Sequence, residues 1–330
     1  MENKKNQNKI SVIIPIHNAS LTIKHCLDSI ANQNYPNFDI IAVNDGSTDD
    51  TLEKLSHYTL KVFSNQKSKG AAFSRNRGAM NTDAEVVLFV DSDVVIPPNA
   101  LSRISETFDA TSDICGIGAV FSDKTAHLNF VSDYKNLELS YRSNLRPPYA
   151  QYLGSHFLAV KRKLFLENGG FPTEFPGSSV EDIALGYRLT KGKKTMFIDR
   201  GVAVDHLKRY SLLTMLKTDF NRIFNMVKII KNSHGKHKAG EEASLKSFIN
   251  LILPAVLFTT IVLGIMSNTW WPSLIIGFLF VVTNFGFLNF LFRRRGALFT
   301  VCGLLLFFVE YFFVTLSIGV SSIVFLLKRK

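Results

Sequence analysis

EVVLFVDSD (85–93) drives an apolar run straight into an acidic end. Val86 to Val90 leave no position for a solvent-facing side chain, so the run reads as a strand buried on both faces. Asp91-Ser92-Asp93 then falls where that strand leaves its sheet. Upstream, KISVIIP (9–15), FDIIAVND (38–45) and LKVFSN (60–65) read as further strands. Between them, SLTIKHCLDSIANQ (20–33), DDTLEKLSHY (49–58) and GAAFSRNRGAM (70–80) read as helices. Strand and helix alternate, which predicts an α/β, Rossmann-like fold with a parallel sheet covered on both faces. Such sheets bind ligands beyond the carboxyl ends of their strands. Those ends carry Pro15-Ile16-His17-Asn18, Asp45-Gly46-Ser47 and Asp91-Ser92-Asp93, so three polar loops should share one rim.

Beyond Asp93 the alternation weakens. PNALSRISETF (98–108) reads as a helix and ICGIGAVF (114–121) as a strand, while 122–150 is polar, aromatic and irregular. QYLGSHFLAVKR (151–162) is a strand leading to a short helix, and 169–179 is a loop. VEDIALGYRLTKG (180–192) is a helix, followed by the strand FIDRGVAVD (197–205).

The chain has 330 residues and a formal charge of +11, with basic residues crowded at 208–246, at Arg293-Arg294-Arg295 and at Lys328-Arg329-Lys330. These runs flank apolar segments, as at the cytoplasmic ends of membrane spans, which argues against nucleic acid as a partner. Cys26, Cys115 and Cys302 match no metal or redox spacing and read as thiols in a reducing compartment. The basic start MENKKNQNK leads only into the short run Ile10 to Ile16, a first strand rather than a signal peptide.

Three apolar stretches, Phe248–Met266, Trp270–Phe292 and Ala297–Leu327, belong in lipid, with Trp270 and Trp271 at an interfacial turn. The third, about 46 Å long as a helix against a core of about 30 Å, must tilt, protrude or break near Glu310 or Gly319. Before them, Leu212, Leu216, Phe220, Ile223, Val227 and Ile230 line one helical face, opposite Lys217, Arg222 and Lys228. That basic amphipathic helix either lies in the bilayer interface or packs on the preceding domain. The expected organisation is a catalytic domain over 1–207, an interfacial segment over 208–247 and a membrane region over 248–330. The basic runs at 208–246 and 293–295 place the first domain on the cytoplasmic side of an inner or plasma membrane; three spans would then leave the basic tail outside, and a re-entrant final segment would not.

The carboxylates carry the chemistry. A departing diphosphate needs neutralising, and Mg²⁺ or Mn²⁺ held by one or two carboxylates performs that task. Asp91 and Asp93 are the metal ligands expected at the rim, with His206 either a third ligand or a structural side chain. Asp45 either accepts bonds from a ribose or a base, or caps its own turn. Arg75, Asn76 and Arg77, near the start of a helix, suit a diphosphate or sugar hydroxyls. Glu181 and Asp182 open a helix, where acids favour the dipole; Asp182 is also placed to take a proton from a hydroxyl, with Glu181 in support.

SVIIPIHN, VNDGSTDDT, KGAAFSRNRGAM, DSD, FLAVKRKLFLENGGF and EDIALGYRL, in this order, resemble a family 2 glycosyltransferase of the GT-A fold over residues 10 to about 206. The resemblance implies that Pro15, Asn18, Asp45 and Arg75 contact the nucleotide-sugar donor. It also implies that Asp91 and Asp93 hold the diphosphate and metal, and that Asp182 is the base of an inverting, single-displacement transfer from a commonly UDP-linked donor. Pro172 and Ala184 stand where many relatives carry acids. No Q-x-x-R-W follows His206, which disfavours a processive polymer synthase and a purely sugar-nucleotide-binding role is disfavoured by the carboxylates. The expected acceptor is a polyprenyl phosphate, a glycolipid or a lipid-linked glycan, met among membrane lipids.

Overall fold

In the computed structural model, residues 8–126, 129–174, 180–192, 194–232 and 245–327 are described. The N-terminal MENKKNQ, loop residues 175–179, much of the basic linker (233–244) and the tail 328–330 lie outside them. The chain divides into two compact units, Met1–Arg209 and Tyr210–Lys330.

Burial along the first strand shows how the sheet of the N-terminal unit is covered. All of β1 (Ile10–Ile16) is buried, and its side chains alternate between two cores. Ile10, Val12, Ile14 and Ile16 enter one core with α1 (Ile23–Ala31), whose Ile23, Leu27 and Ile30 face the sheet. Ile13 enters the opposite core with Ile41 and Val43 of β2 (Phe38–Asn44). A short α2 (Thr51–Leu55), β3 (Lys61–Ser64) and α3 (Ala71–Met80) follow, then β4 (Val86–Val90), buried throughout. Next come β5 (Val94–Val95), α4 (Ala100–Ala110), β6 (Ile114–Thr125) and α5 (Phe130–Leu145). The unit closes with β7 (Tyr149–Ala150), β8 (Phe157–Lys161), α6 (Arg162–Glu167), α7 (Glu181–Leu189) and β9 (Thr195–His206).

The strand order is β3-β2-β1-β4-β8-β6-β9-β5, with β7 beside β9. The expected all-parallel sheet is found as a continuous run for β1 to β4, and parallel pairing returns only between β6 and β9. Each strand of that run reaches the next through a helix, which enforces the parallel sense. After Asp93 strict alternation ends, and β8 runs antiparallel to both β4 and β6, so the sheet is mixed. The order reverses between β1 and β4, the position at which such sheets open a crevice.

The stretch 122–150, expected to be irregular, contains the helix α5. Asn129 caps it by accepting the Ser132 N–H at 2.9 Å. Its inward residues include Lys135, Asn136, Glu138 and Ser140 beside Tyr134 and Leu137, so polar side chains interrupt the apolar face. Glu138 is ion-paired with Lys135 Nζ at 2.8 Å and Arg142 Nη1 at 3.0 Å. Burial alone would raise its carboxyl, but the two cations outweigh that and bring it down to about 2 from 4.5. With the folded value depressed, the unfolded chain takes up the proton first as pH falls. The stability from this group is therefore complete above about pH 4.5 and lost toward pH 2, on the order of 3 kcal/mol. Glu138→Gln is expected to lower the melting temperature at neutral pH and to remove this part of the acid-induced fall. A melting series with decreasing pH, parallel to the wild type throughout, would reject the assignment.

The C-terminal unit contains α8 (Leu212–Asn232), α9 (Leu245–Ser267), α10 (Trp271–Thr283) and α11 (Phe285–Leu327). Within the unit, Phe220 of α8 lies 6.4 Å from Phe313 of α11. Ile249–Ser267 and Phe285–Val324 are long and apolar enough to cross a membrane. Asn250 and Asn284 are buried and exchange amide hydrogen bonds of 3.0 and 3.1 Å, tying α9 to the junction of α10 and α11.

The second apolar stretch breaks at Asn284, and α11 is not one rod. Phe287 and Phe307 have ring centroids 5.5 Å apart, whereas a straight helix would hold them about 30 Å apart. The chain folds back at Gly296, whose φ of 81° and ψ of −176° lie outside the helical region and favour glycine. Of the three alternatives for the last apolar stretch, a break near Glu310 or Gly319 is not taken, because the limb after Gly296 stays helical through both.

Candidate active site

The carboxyl ends of β1, β2 and β4 place the three polar loops. At the first, Asn18 adopts a left-handed φ of 49° and its Oδ1 accepts the Thr48 N–H at 2.8 Å, stitching loop 17–18 to loop 46–48. Pro15, expected at the nucleotide, is buried within β1 opposite Val43. His17 Nδ1 lies 2.9 Å from the Asp45 carbonyl oxygen.

Asp45 is enclosed by donors. Its carboxylate accepts from Asn65 Nδ2 at 2.7 Å, Ser68 Oγ at 2.7 Å, Lys69 N at 2.9 Å and Gly70 N at 2.8 Å. Burial works to raise this carboxyl, but the bonds from Lys69, Asn65, Ser68 and Gly70 hold it below its ordinary value. It fixes the loop that leads into α3, nearer the turn-capping alternative than an open contact for a base. Asn65 Nδ2 also lies 3.3 Å from Ser74 Oγ, which connects Asp45 to α3.

Neighbours on a helix point about 100° apart, so Arg75, Asn76 and Arg77 cannot all face one ligand. Asn76 clasps the backbone of Phe171, donating to its carbonyl at 2.7 Å and accepting its N–H at 2.8 Å. Arg77 turns away to the Ser64 carbonyl at 2.8 Å. Arg75 points inward and is 1% exposed. Its Nη2 donates to Asp91 Oδ1 at 2.6 Å and its Nη1 to Glu181 Oε1 at 3.0 Å, with the guanidinium 5.3 Å from the Phe171 ring centre. Arg75 is thus a buried bridge between two carboxylates, not a side chain open to a diphosphate, and Glu181 is committed to it.

That bridge brings the acidic loop of β4 to the N-terminus of α7, where Asp182 follows Glu181. Asp182 Oδ1 accepts the Ile183 N–H at 2.8 Å. On the other side of the acidic loop, β5 pairs with β9 so that Val94 stands opposite His206. This sets His206 Nε2 3.8 Å from Asp93 Oδ2, both groups only partly exposed. Burial works to raise the Asp91 carboxyl, but Arg75 outweighs it and holds the group low. Burial pushes the Asp93 carboxyl up and the His206 imidazole down. Among the described residues no group of three or more His, Cys, Asp or Glu is arranged as a metal cage. Asp93 and His206 fit a different design, in which a hard cation takes one or two protein ligands and completes its shell with water and substrate phosphates.

Sequence reasoning missed His156. Its carbonyl accepts the Asp91 N–H at 3.1 Å, and its ring stacks on Phe121 with centroids 4.2 Å apart. Burial drives the imidazole down to about 3, so it is neutral. A histidine inside QYLGSHFLAV carries no spacing that marks it.

Comparison with known proteins gives the same picture of the N-terminal unit. Residues 11–169 match the model of the family described as Glycosyl transferase family 2. A stretch of 91 residues is 41% identical to glycosyltransferase GlyA of Streptococcus pneumoniae, covering 26% of this chain and 13% of that protein. Over 217 residues the chain is 27% identical to a Campylobacter jejuni GalNAc(5)-diNAcBac-PP-undecaprenol beta-1,3-glucosyltransferase, covering 63% of this chain and 67% of the relative. The chain spans less than two thirds of the length of several curated relatives it matches. Among solved structures, a mannosyltransferase from Pyrobaculum calidifontis in complex with GDP-Man and Mn²⁺ superposes with a TM-score of 0.61 at 16% identity, covering 97% of this chain and 88% of that one. The N-terminal unit thus carries a GT-A-like mixed sheet, and its residues 11–169 match glycosyl transferase family 2.

Proposed function

We propose that the protein transfers a single sugar, with inversion, from a nucleoside-diphosphate sugar to a membrane-associated acceptor. One observation carries this reading: Arg75 joins Asp91, at the end of a central strand, to Glu181, beside Asp182, although Glu181 lies far along the chain from the other two. A UDP-linked donor and a polyprenyl phosphate, glycolipid or lipid-linked glycan as acceptor are the chemistry proposed. The Campylobacter relative, named for a lipid-linked acceptor, supports the last point.

In this mechanism Asp182 removes the proton from an acceptor hydroxyl, which attacks the anomeric carbon opposite the leaving diphosphate. Asp93 and His206, with Asp91 alongside, would hold Mg²⁺ or Mn²⁺, whose charge stabilises the departing diphosphate. Arg75 keeps the two halves of the site in register. Residues 208–247 are proposed as an interfacial segment and 248–330 as the anchor, with the catalytic domain in the cytoplasm. The apolar, outward residues of α9 to α11 and the reversal at Gly296 support that anchor.

The test is transfer by the purified full-length protein, using labelled nucleotide-sugars and a membrane lipid extract. Chelation is expected to abolish transfer and Mn²⁺ to restore it. Asp93→Ala is expected to lose on the order of 10²-fold or more in rate, the equivalent of several kcal/mol of charge stabilisation. Undiminished transfer in chelator would reject the metal, and no transfer from any donor would reject the enzyme reading.

A further inference from the structure

The Nε2 atom of His156 is buried and has no hydrogen-bond partner among the described residues. The ring is fixed rather than loose. It stacks on Phe121 at 4.2 Å with 19° between the planes, and the same Phe121 lies 5.4 Å from the His206 ring. The bond from the Asp91 N–H to the His156 carbonyl couples the residue to the acidic loop. At its other edge, a Cβ built on Gly154 would fall 2.5 Å from His156 Nδ1 and 3.9 Å from Asp182 Oδ2. The imidazole therefore stands between the acidic loop and Asp182. Under the reading given above, on which this inference rests, that interval is where the transferred sugar lies.

We propose that His156 is a donor-sugar contact, its Nε2 hydrogen-bonding a hydroxyl of the sugar being transferred. A hydroxyl both donates and accepts, so it satisfies either tautomer of the ring, whereas a phosphate oxygen satisfies only an N–H. A buried ring nitrogen without a partner is unfavourable in the free protein, and a bound sugar removes that penalty while a sugar-free nucleotide does not. His156 thereby selects for the presence and orientation of the hydroxyl.

The test compares two ligands on the full chain in the presence of Mn²⁺. One is whichever of UDP-glucose, UDP-N-acetylglucosamine and GDP-mannose the wild type binds best; the other is the matching free nucleoside diphosphate. His156→Phe keeps an aromatic ring against Phe121 and removes both nitrogens. It is expected to weaken binding of the sugar nucleotide about 3–10-fold and to leave the free diphosphate unchanged. Gly154→Ala, which displaces the ring without deleting it, is expected to show the same selective loss. Equal losses for both ligands, with or without a lower melting temperature, would assign His156 to packing and overturn the proposal, as would no loss at all. A wild type that binds none of the probes would instead bring down the reading of the site itself, and this inference with it.

Discussion

Arg75→Met is expected to lower the melting temperature of the protein by about 6–20 °C and to abolish transfer. The guanidinium is 1% exposed and lies between the carboxylates of Asp91 and Glu181. Methionine fills similar volume but leaves those carboxylates without their cation. Removing one partner of a buried ion pair costs about 3–5 kcal/mol, which for a domain of this size gives the quoted fall. The charge matters twice, because the same side chain holds Asp182's helix beside the acidic loop. Arg75→Lys should recover only part of both effects, since one ammonium cannot reach two carboxylates as a planar fork does. Adding Glu181→Gln to Arg75→Met should recover stability but not activity, as it removes an unpaired charge without restoring the bridge. Thermal shift in detergent with a parallel transfer assay checks each case. Wild-type melting in Arg75→Met would mean that the bridge is dispensable.

The parallel half of the fold was legible because local and global signals agree there. β1, β2 and β4 are mainly apolar runs, the first two each followed by a helix, and every one of them ends in a polar loop. The helix α5 was hidden because Lys135, Asn136 and Glu138 sit on its buried side, and their pairing is a tertiary fact with no spacing rule. The acids at the rim were legible from their strand ends. What each one touches was not: the inward turn of Arg75 and the enclosure of Asp45 depend on residues brought in from elsewhere, Glu181 in one case and the 65–70 loop in the other. In the apolar region, sequence located the segments but not the bend at Asn284, which answers to a partner amide on α9. The turn at Gly296 follows three consecutive arginines, a break in apolar sequence that the expected segment boundaries already respected.

Asp182→Asn is expected to separate binding from chemistry. The asparagine keeps the shape of the side chain and an oxygen able to accept the Ile183 N–H, which Asp182 Oδ1 now accepts at 2.8 Å. It cannot accept a proton from an acceptor hydroxyl. Loss of a positioned general base lowers kcat by about 10²–10⁴-fold, while the donor KM and the melting temperature should stay close to wild type. The size of the loss also depends on the acceptor. A hydroxyl must shed its proton as it attacks, whereas a polyprenyl phosphate presents an oxygen that is already ionised. Assaying the variant with both acceptor classes therefore reads out which one the site is built for. A loss confined to hydroxyl acceptors supports the base assignment, because no structural damage would distinguish the two. Wild-type kcat with a hydroxyl acceptor would place the base elsewhere, and the ion triad of Arg75, Asp91 and Glu181 would then have to be explained by stability alone.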